Sequence, residues 1–520
     1  MTTTSVHTPG LSKPRQLFLL LTALLVASRL CHVAILWEGD TLPLAAAEQM
    51  LHGKVIYRDI WFDKPPLLPF VYLLWGARPG WTLRLGDALY ALLACWIAYR
   101  FARHLWSERE GVWAAGLLGF FLIFDFPSAV IPVASDLMML APHLAAVWMA
   151  SERRPFWAGV LAGVAFWISP KGLFVAAVCL LWDPAGAVRM AAGFAAVSGF
   201  AAAWLGTSGA LRAYWEEVWK WGRLYAGSPF VDNPIKNGLV RTLNWMGFHA
   251  VLVVAAGRFL LGAGSPGGAG TAVSAGALLS AGPPCAGPPL WGRRFRLPTD
   301  WTPWSGNAGP MLHPGPIHWI GWLLIAAAGV SAGLRFFPRY YFLFLPVAVL
   351  MAARGFTLLG PKRELVALLL LIPAIRFGPA YLTALTNHEW RDIGMDRDSR
   401  AAAAFTRDLA KPGDTLFVWG YRPEMYAYTG LPAATIFLDS QPLTGVPADR
   451  HLTQSEPVET VSASQRRAEL ARSEPTFVLD GLGPYNPQLA ITNYPDLREW
   501  LSHYREVGRQ GQTVIYRRTR

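Results

Sequence analysis

Charge is scarce in this sequence: only 15% of its 520 residues are Asp, Glu, Lys or Arg, against 53% hydrophobic residues. A water-soluble chain of that length needs several charged domain surfaces, so three or four soluble domains are excluded and a membrane protein is expected. Cysteine is scarce too, with four positions. Cys31, Cys95 and Cys179 lie in apolar runs, Cys285 lies in a glycine- and proline-rich stretch, and none falls in the polar C-terminal region. A disulfide framework is excluded, and stability must come from packing and from the bilayer. The net charge of +12 would suggest a nucleic-acid partner in a soluble protein. Much of the excess sits in short segments between apolar runs, where it marks cytoplasmic loops instead.

What the sequence has is apolar runs. The polar start carries Lys13 and Arg15 and leads into an apolar run at 17–37, interrupted by Arg29 and His32. It reads as a retained first span with a cytoplasmic N-terminus, since a signal peptide needs a cleaner apolar core and a small-residue cleavage site. Residues 38–84 then form one external loop, within which the apolar segment 65–77 is too short to cross and reads as interfacial or re-entrant. The run 83–99 ends in Arg100, Arg103, His104 and Arg109, a cytoplasmic signature. Further spans are expected at 112–126, 137–150, 156–168, 172–182, 190–205, 245–261, 318–334, 340–353 and 365–381. The external loop 206–244 carries Trp215, Trp219 and Trp221, spaced for an interfacial helix. About eleven spans result, an odd number that puts the C-terminus outside.

Two regions differ from this pattern. Residues 262–316 are crowded with Gly, Pro and Ala, lack periodicity, and read as a flexible cytoplasmic insertion with Arg293, Arg294 and Arg296. Residues 382–520 are polar and read as a soluble α/β domain, with strands at 415–419, 434–438, 476–479 and 513–516 and helices at 400–410, 462–472 and 496–504. The domain shows no metal-ligand cluster, phosphate loop or nucleophile elbow. The expected architecture is therefore a polytopic α-helical transmembrane module, 1–381, followed by an extracytoplasmic α/β domain, 382–520.

The first external loop carries the chemical signal. Glu38-Gly39-Asp40 stands where the first span leaves the membrane, followed by an amphipathic helix (42–51), Gly53, the turn Tyr57-Arg58-Asp59, and Lys64-Pro65-Pro66-Leu67. Acids at the outer surface, facing a basic and aromatic loop, suit deprotonation of an acceptor beside a lipid-borne leaving group. This order of an acidic pair, a helix, "MLHG", "YRD" and "KPPL" resembles the C-type glycosyltransferases that use polyprenyl-phosphate sugars, a group that includes the protein O-mannosyltransferases and the lipid A aminoarabinose transferase. The resemblance covers roughly residues 15–180, returns at 335–353 in "RFFPRYYFLFLP", and touches the C-terminal domain loosely through "GDTLFVWGYRPEMYAYTG".

The resemblance implies a transferase of the hexosyl or pentosyl kind in a bacterial inner or plasma membrane, with its catalytic loop and C-terminal domain outside. It implies a first-loop acid as general base on the acceptor hydroxyl, for which Asp40 is the closer match and Glu38 the second. The family more often places its acids side by side, so the intervening Gly39 leaves the choice open. Asp40 also suits an N-cap of a helix beginning near Pro43. Asp136 matches the family's second-loop acid and equally suits a helix N-cap with Ser135.

A polyprenyl-phosphate donor also needs cations. Lys64, Arg84 and Lys171 fall on the same side as the acids by the topology above; Lys171 matches a lysine of the aminoarabinose transferases, and Arg84 a basic residue of the mannosyltransferases. Snorkelling to the interface is the bland alternative for Arg84 and Lys171. Arg58, Asp59, Arg339 and Tyr340 are secondary candidates, the first two also readable as a solvated turn and the last two as interface anchors. Arg29, inside the first span, reads as structural. No obligatory metal is expected, although His52 with a neighbouring acid could take a divalent ion. The implied partners are the lipid-phosphate sugar, membrane lipids, and a lipid, polysaccharide or protein acceptor. Two rivals stay open: a lipid-linked saccharide transporter or flippase, which would predict an internal repeat not found here, and a catalytically silent envelope-assembly relative.

Overall fold

The computed structural model describes residues 12–126, 128–227, 232–263, 314–386, 390–449 and 456–519. Most of the insertion expected at 262–316 lies outside the described residues.

The apolar runs form helices close to where hydropathy puts them. Lys13–Leu30 begins with Pro14 in its first turn, and is followed by Trp81–Leu105, Glu108–Phe124, Pro155–Ile168, Gly172–Trp182, Ala187–Thr207, Pro316–Ser331 and Leu345–Leu358. Large apolar side chains such as Leu19, Val188, Phe200 and Ile375 point outward, as a lipid-facing surface requires. Trp81–Leu105 and Pro184–Thr207, with a stretch within Gly360–Leu409, are long and apolar enough to cross a bilayer alone. Others are shorter apolar helices, including Pro155–Ile168 and Gly172–Trp182.

Close helix contact rests on small residues. A Cβ added at Gly159 would lie 1.9 Å from the Met190 carbonyl oxygen, and one at Gly193 would lie 2.0 Å from that of Phe156. Helices Pro155–Ile168 and Ala187–Thr207 therefore meet backbone to backbone, the close approach that glycine permits in membrane helices.

Three expectations change before the C-terminal domain. The single span at 245–261 is instead two helices, Pro234–Phe248 and Ala250–Gly262, bent by 87° at their junction. The span at 137–150 opens with a separate short helix, Ser135–Met138, before Leu140–Ser151. The first-loop helix runs Glu38–Leu51 and is buried continuously from Gly39 to Ala47, so it is wedged inside the protein rather than lying amphipathically on a surface.

What covers that helix is the C-terminal domain. Its sheet has four strands, β1 (Leu416–Trp419), β2 (Phe477–Asp480), β3 (Tyr504–Gln510) and β4 (Thr513–Arg518), in the order β1-β2-β4-β3. β1 and β2 pair in parallel, and β4 runs antiparallel to both β2 and β3. The helix expected at 496–504 is only Arg498–Ser502, and the chain turns at once into β3. The strand expected at 434–438 is reduced to a single bridge at its start, where Ala434 N–H donates to the Leu416 carbonyl of β1 at 2.9 Å, and the backbone around it is engaged by the first loop. Ala433 N–H donates to Gln49 Oε1 at 2.7 Å, Lys54 Nζ donates to the Thr435 carbonyl at 3.4 Å, and Trp61 N–H donates to the Ile436 carbonyl at 2.7 Å. These bonds seat the domain directly on the loop that carries the acids.

Candidate functional site

Beneath that seat lies a cavity of about 630 Å³. Its walls come from distant parts of the chain. The helix start contributes Trp37, Glu38 and Gly39, and the KPPL turn contributes Asp63 and Lys64. Ser135 and Asp136 face Ser169 and Lys171 across two helix ends, and Arg335, Arg339 and Tyr340 enter from the segment 335–340. The C-terminal domain closes it with Tyr421, Gln441 and Ala448.

Three carboxylates on this wall, Glu38, Asp63 and Asp136, are each paired with a cation. Lys171 Nζ lies 2.9 Å from Asp136 Oδ2, and Ser169 donates to the other carboxylate oxygen at 3.1 Å. The same ammonium sits 2.9 Å from the centre of the Tyr340 ring, a cation–π contact that fixes it from a second side. Lys64 Nζ reaches Asp63 Oδ1 at 2.9 Å, and Arg339 Nη2 reaches Glu38 Oε2 at 3.3 Å. The Arg335 guanidinium lies 3.2 Å from the Tyr225 ring centre. Burial pushes Lys171 down to about 8, against the opposing pull of Asp136. Asp136 does not serve as a helix cap: the cap position is Ala134 and no side chain bonds there.

Asp40 and Arg84 go elsewhere, which corrects the expectation that they share this cavity. Asp40 is fully buried, accepting from Arg84 Nη1 at 2.9 Å and from the Tyr72 hydroxyl at 2.8 Å. Arg84 also holds Asp87 at 2.7 Å and the Ile35 carbonyl at 2.7 Å. Neither residue lines the cavity. Asp40 is not an N-cap either, since the helix starts at Glu38 without a side-chain cap. Arg58 and Asp59 pair with each other at 2.7 Å on an exposed turn, away from the cavity. Asp59 also accepts the Val55 N–H at 2.9 Å, so this is a turn clasp. Arg29 is buried against Ser28 at 2.8 Å, a structural place within the bundle.

The spacing of the two first-loop acids explains their separation. Consecutive helical residues are rotated by about 100°, so positions two apart face nearly opposite ways. Glu38 turns to the cavity and Asp40 to the bundle. Gly39 between them sits against two side-chain ends: a Cβ there would stand 2.6 Å from Arg339 Nη1 and 2.6 Å from Ile131 Cδ1, so both would have to shift. An adjacent pair of acids would therefore displace the arginine that holds Glu38.

Among the described residues, no group of three or more His, Cys, Asp or Glu side chains is arranged to hold a metal. The His52 ring reaches Glu48 Oε1 at 3.3 Å. Sequence reasoning did not single out Asp63, Arg335, Tyr225, Tyr421 or Gln441. Asp63 could have been found, since it directly precedes the KPPL motif, and Tyr421 lies within the GDTLFVWGYRPEMYAYTG stretch; Gln441 carried no local signal.

No protein-family model matches the chain, and no curated protein matches it. Solved structures do. ArnT from Cupriavidus metallidurans bound to undecaprenyl phosphate is 14% identical with a TM-score of 0.56, the match covering 97% of each chain. The same protein in the apo state gives 14% and 0.51 over 97% of this chain and 98% of that one. The archaeal oligosaccharyltransferase AglB from Archaeoglobus fulgidus gives 12% and 0.44 over 90% and 69%. The likeness to ArnT is one of fold: this chain shares the largely helical fold of that structure, closed by a C-terminal sheet domain.

Proposed function

We propose that the protein transfers a sugar from a polyprenyl-phosphate donor to an acceptor hydroxyl, on the extracytoplasmic face of the membrane. The observation that carries this reading is the single cavity in which the carboxylates of Glu38 and Asp136 stand among Lys64, Lys171, Arg335 and Arg339. Glu38 takes the proton of the acceptor hydroxyl as its oxygen attacks the anomeric carbon. The carbon–oxygen bond to phosphate breaks in the same step, with inversion, and its electron pair goes to the departing phosphate. Lys171 and Lys64 stabilise that phosphate; a unit charge pair at 4 Å is worth roughly 4 kcal/mol at an effective dielectric of about 20. Asp136 orients the Lys171 ammonium. Asp40 and Arg84 act through structure, fixing the helix that presents Glu38. That the neighbouring ArnT structure holds undecaprenyl phosphate supports a lipid-phosphate donor.

Purified protein incubated with radiolabelled polyprenyl-phosphate sugars and membrane extract tests the reaction. Label passing to an acceptor is the expected result. Translocation of the donor without transfer would favour a flippase, and neither outcome would leave a silent relative.

The Lys171 ammonium gives a pH dependence. Its group titrates near 8, so it is charged below that pH and loses its proton as pH rises through it. Affinity for undecaprenyl phosphate should fall above about pH 8, and Lys171→Met should remove that limb. Titration of binding across pH 6.5–9.5 (about three units) checks this.

A further inference from the structure

Glu217 sits in a π-helical turn, Trp215–Lys220, with 3% of its surface exposed and outside the cavity. π-turns are rare and concentrate at functional sites, and a buried carboxylate is costly unless it is bonded or neutral. Its Oε2 accepts the backbone N–H of Phe62 at 2.8 Å, across 155 positions of sequence. The next two residues, Asp63 and Lys64, line the cavity.

The same turn is held at other points. The Tyr57 hydroxyl donates to the Lys64 carbonyl at 2.6 Å, and Trp61 N–H donates to Ile436 in the C-terminal domain at 2.7 Å. The Trp61 ring packs 6.1 Å from Trp221 and 6.2 Å from Phe437, with the Arg466 guanidinium 4.5 Å above it. Trp221 directly follows the π-turn, so one short helical segment supplies both the carboxyl beneath Phe62 and a ring against Trp61.

We propose that Glu217 is a positioning residue: its carboxyl fixes the Trp61–Lys64 turn so that the Lys64 ammonium faces the lipid-borne phosphate. This rests on the reading of Lys64 as a phosphate-facing cation. Burial pushes the Glu217 carboxyl well above its ordinary range, against the Phe62 N–H and Arg466. Its neutral form is closely copied by glutamine, whose carbonyl accepts the same hydrogen bond.

The experiment uses the full chain in detergent and undecaprenyl phosphate as the probe. Glu217→Ala should speed hydrogen exchange at residues 61–64 and weaken binding about tenfold, while Glu217→Gln should restore both. Lys64→Met should weaken binding by a similar factor, and the double variant Glu217→Ala/Lys64→Met no more than either alone, because both act through one ammonium. Unchanged exchange at residues 61–64 in Glu217→Ala overturns the positioning role, and so does a glutamine variant as impaired as alanine. Faster exchange with unaltered binding in Lys64→Met would instead overturn the reading of Lys64 and leave the positioning role standing.

Discussion

Glu38→Gln is expected to lower the transfer rate by roughly 10²–10⁴-fold, the contribution typical of a positioned general base, with little change in donor affinity. Glutamine keeps the shape of the side chain and an acceptor oxygen for Arg339, which lies 3.3 Å away, but it cannot take a proton. Thermal stability should stay close to that of the parent. The carboxylate and its guanidinium are 25% and 30% exposed, and a solvated pair of that kind contributes about 0–1 kcal/mol. Single-turnover kinetics with a radiolabelled donor, alongside thermal unfolding in the same detergent, measure both quantities. Turnover within threefold or so of the parent would place the base elsewhere and remove the proposed mechanism.

Asp40 and Arg84 should show the opposite profile. Arg84→Met leaves Asp40 and Asp87 facing one another in the bundle without the guanidinium that holds them at 2.9 and 2.7 Å. Removing one partner of a buried ion pair costs about 3–5 kcal/mol, because the remaining charge stays desolvated. Asp40→Ala also strips the Tyr72 hydroxyl and Arg84 of their shared acceptor. Both variants should unfold at clearly lower temperature, and whatever fraction remains folded should retain donor binding. A variant of Asp40 that unfolds like the parent yet transfers no sugar would return that residue to the role of base.

These two results separate residues that stand two positions apart in one motif. From the sequence, Glu38 and Asp40 are equivalent: both are acids at the exit of the first apolar run, and the resemblance to C-type glycosyltransferases favours Asp40. The helical rotation between them means that one acid must turn away from whatever the other faces. Which one turns inward is decided by Arg84 and Tyr72 on one side and Arg339 on the other, residues 44, 32 and 301 positions away. The place of Arg84 depends on the same remote pairing. A basic residue at the start of an apolar helix looks like an interface anchor or a phosphate ligand, and its pairing with two acids exists only in the folded bundle.

What the sequence determined alone is what depends on near neighbours. Low charge and long apolar runs establish a membrane chain, because hydrophobic transfer acts on each segment by itself. Helix positions such as Gly172–Trp182 follow from local hydropathy, and the strands at Leu416–Trp419 and Phe477–Asp480 from short β-branched and aromatic runs. The place of Lys171 follows from its position at the tip of Gly172–Trp182, a helix that hydropathy alone delimits.

The tertiary structure decided whatever required distant segments to converge. The stretch 434–438 has strand-like composition, yet it meets β1 only at its start, where Ala434 N–H donates to the Leu416 carbonyl, and beyond that its carbonyls at Thr435 and Ile436 are taken by Lys54 and Trp61 of the first loop. Tyr421 and Gln441 close the cavity only because that docking brings the C-terminal domain down onto the helix of Glu38. Hydropathy and periodicity describe how a segment meets solvent or lipid. They carry no information about which remote side chain will compete for a given carboxylate, and that competition selects the acid that faces the cavity.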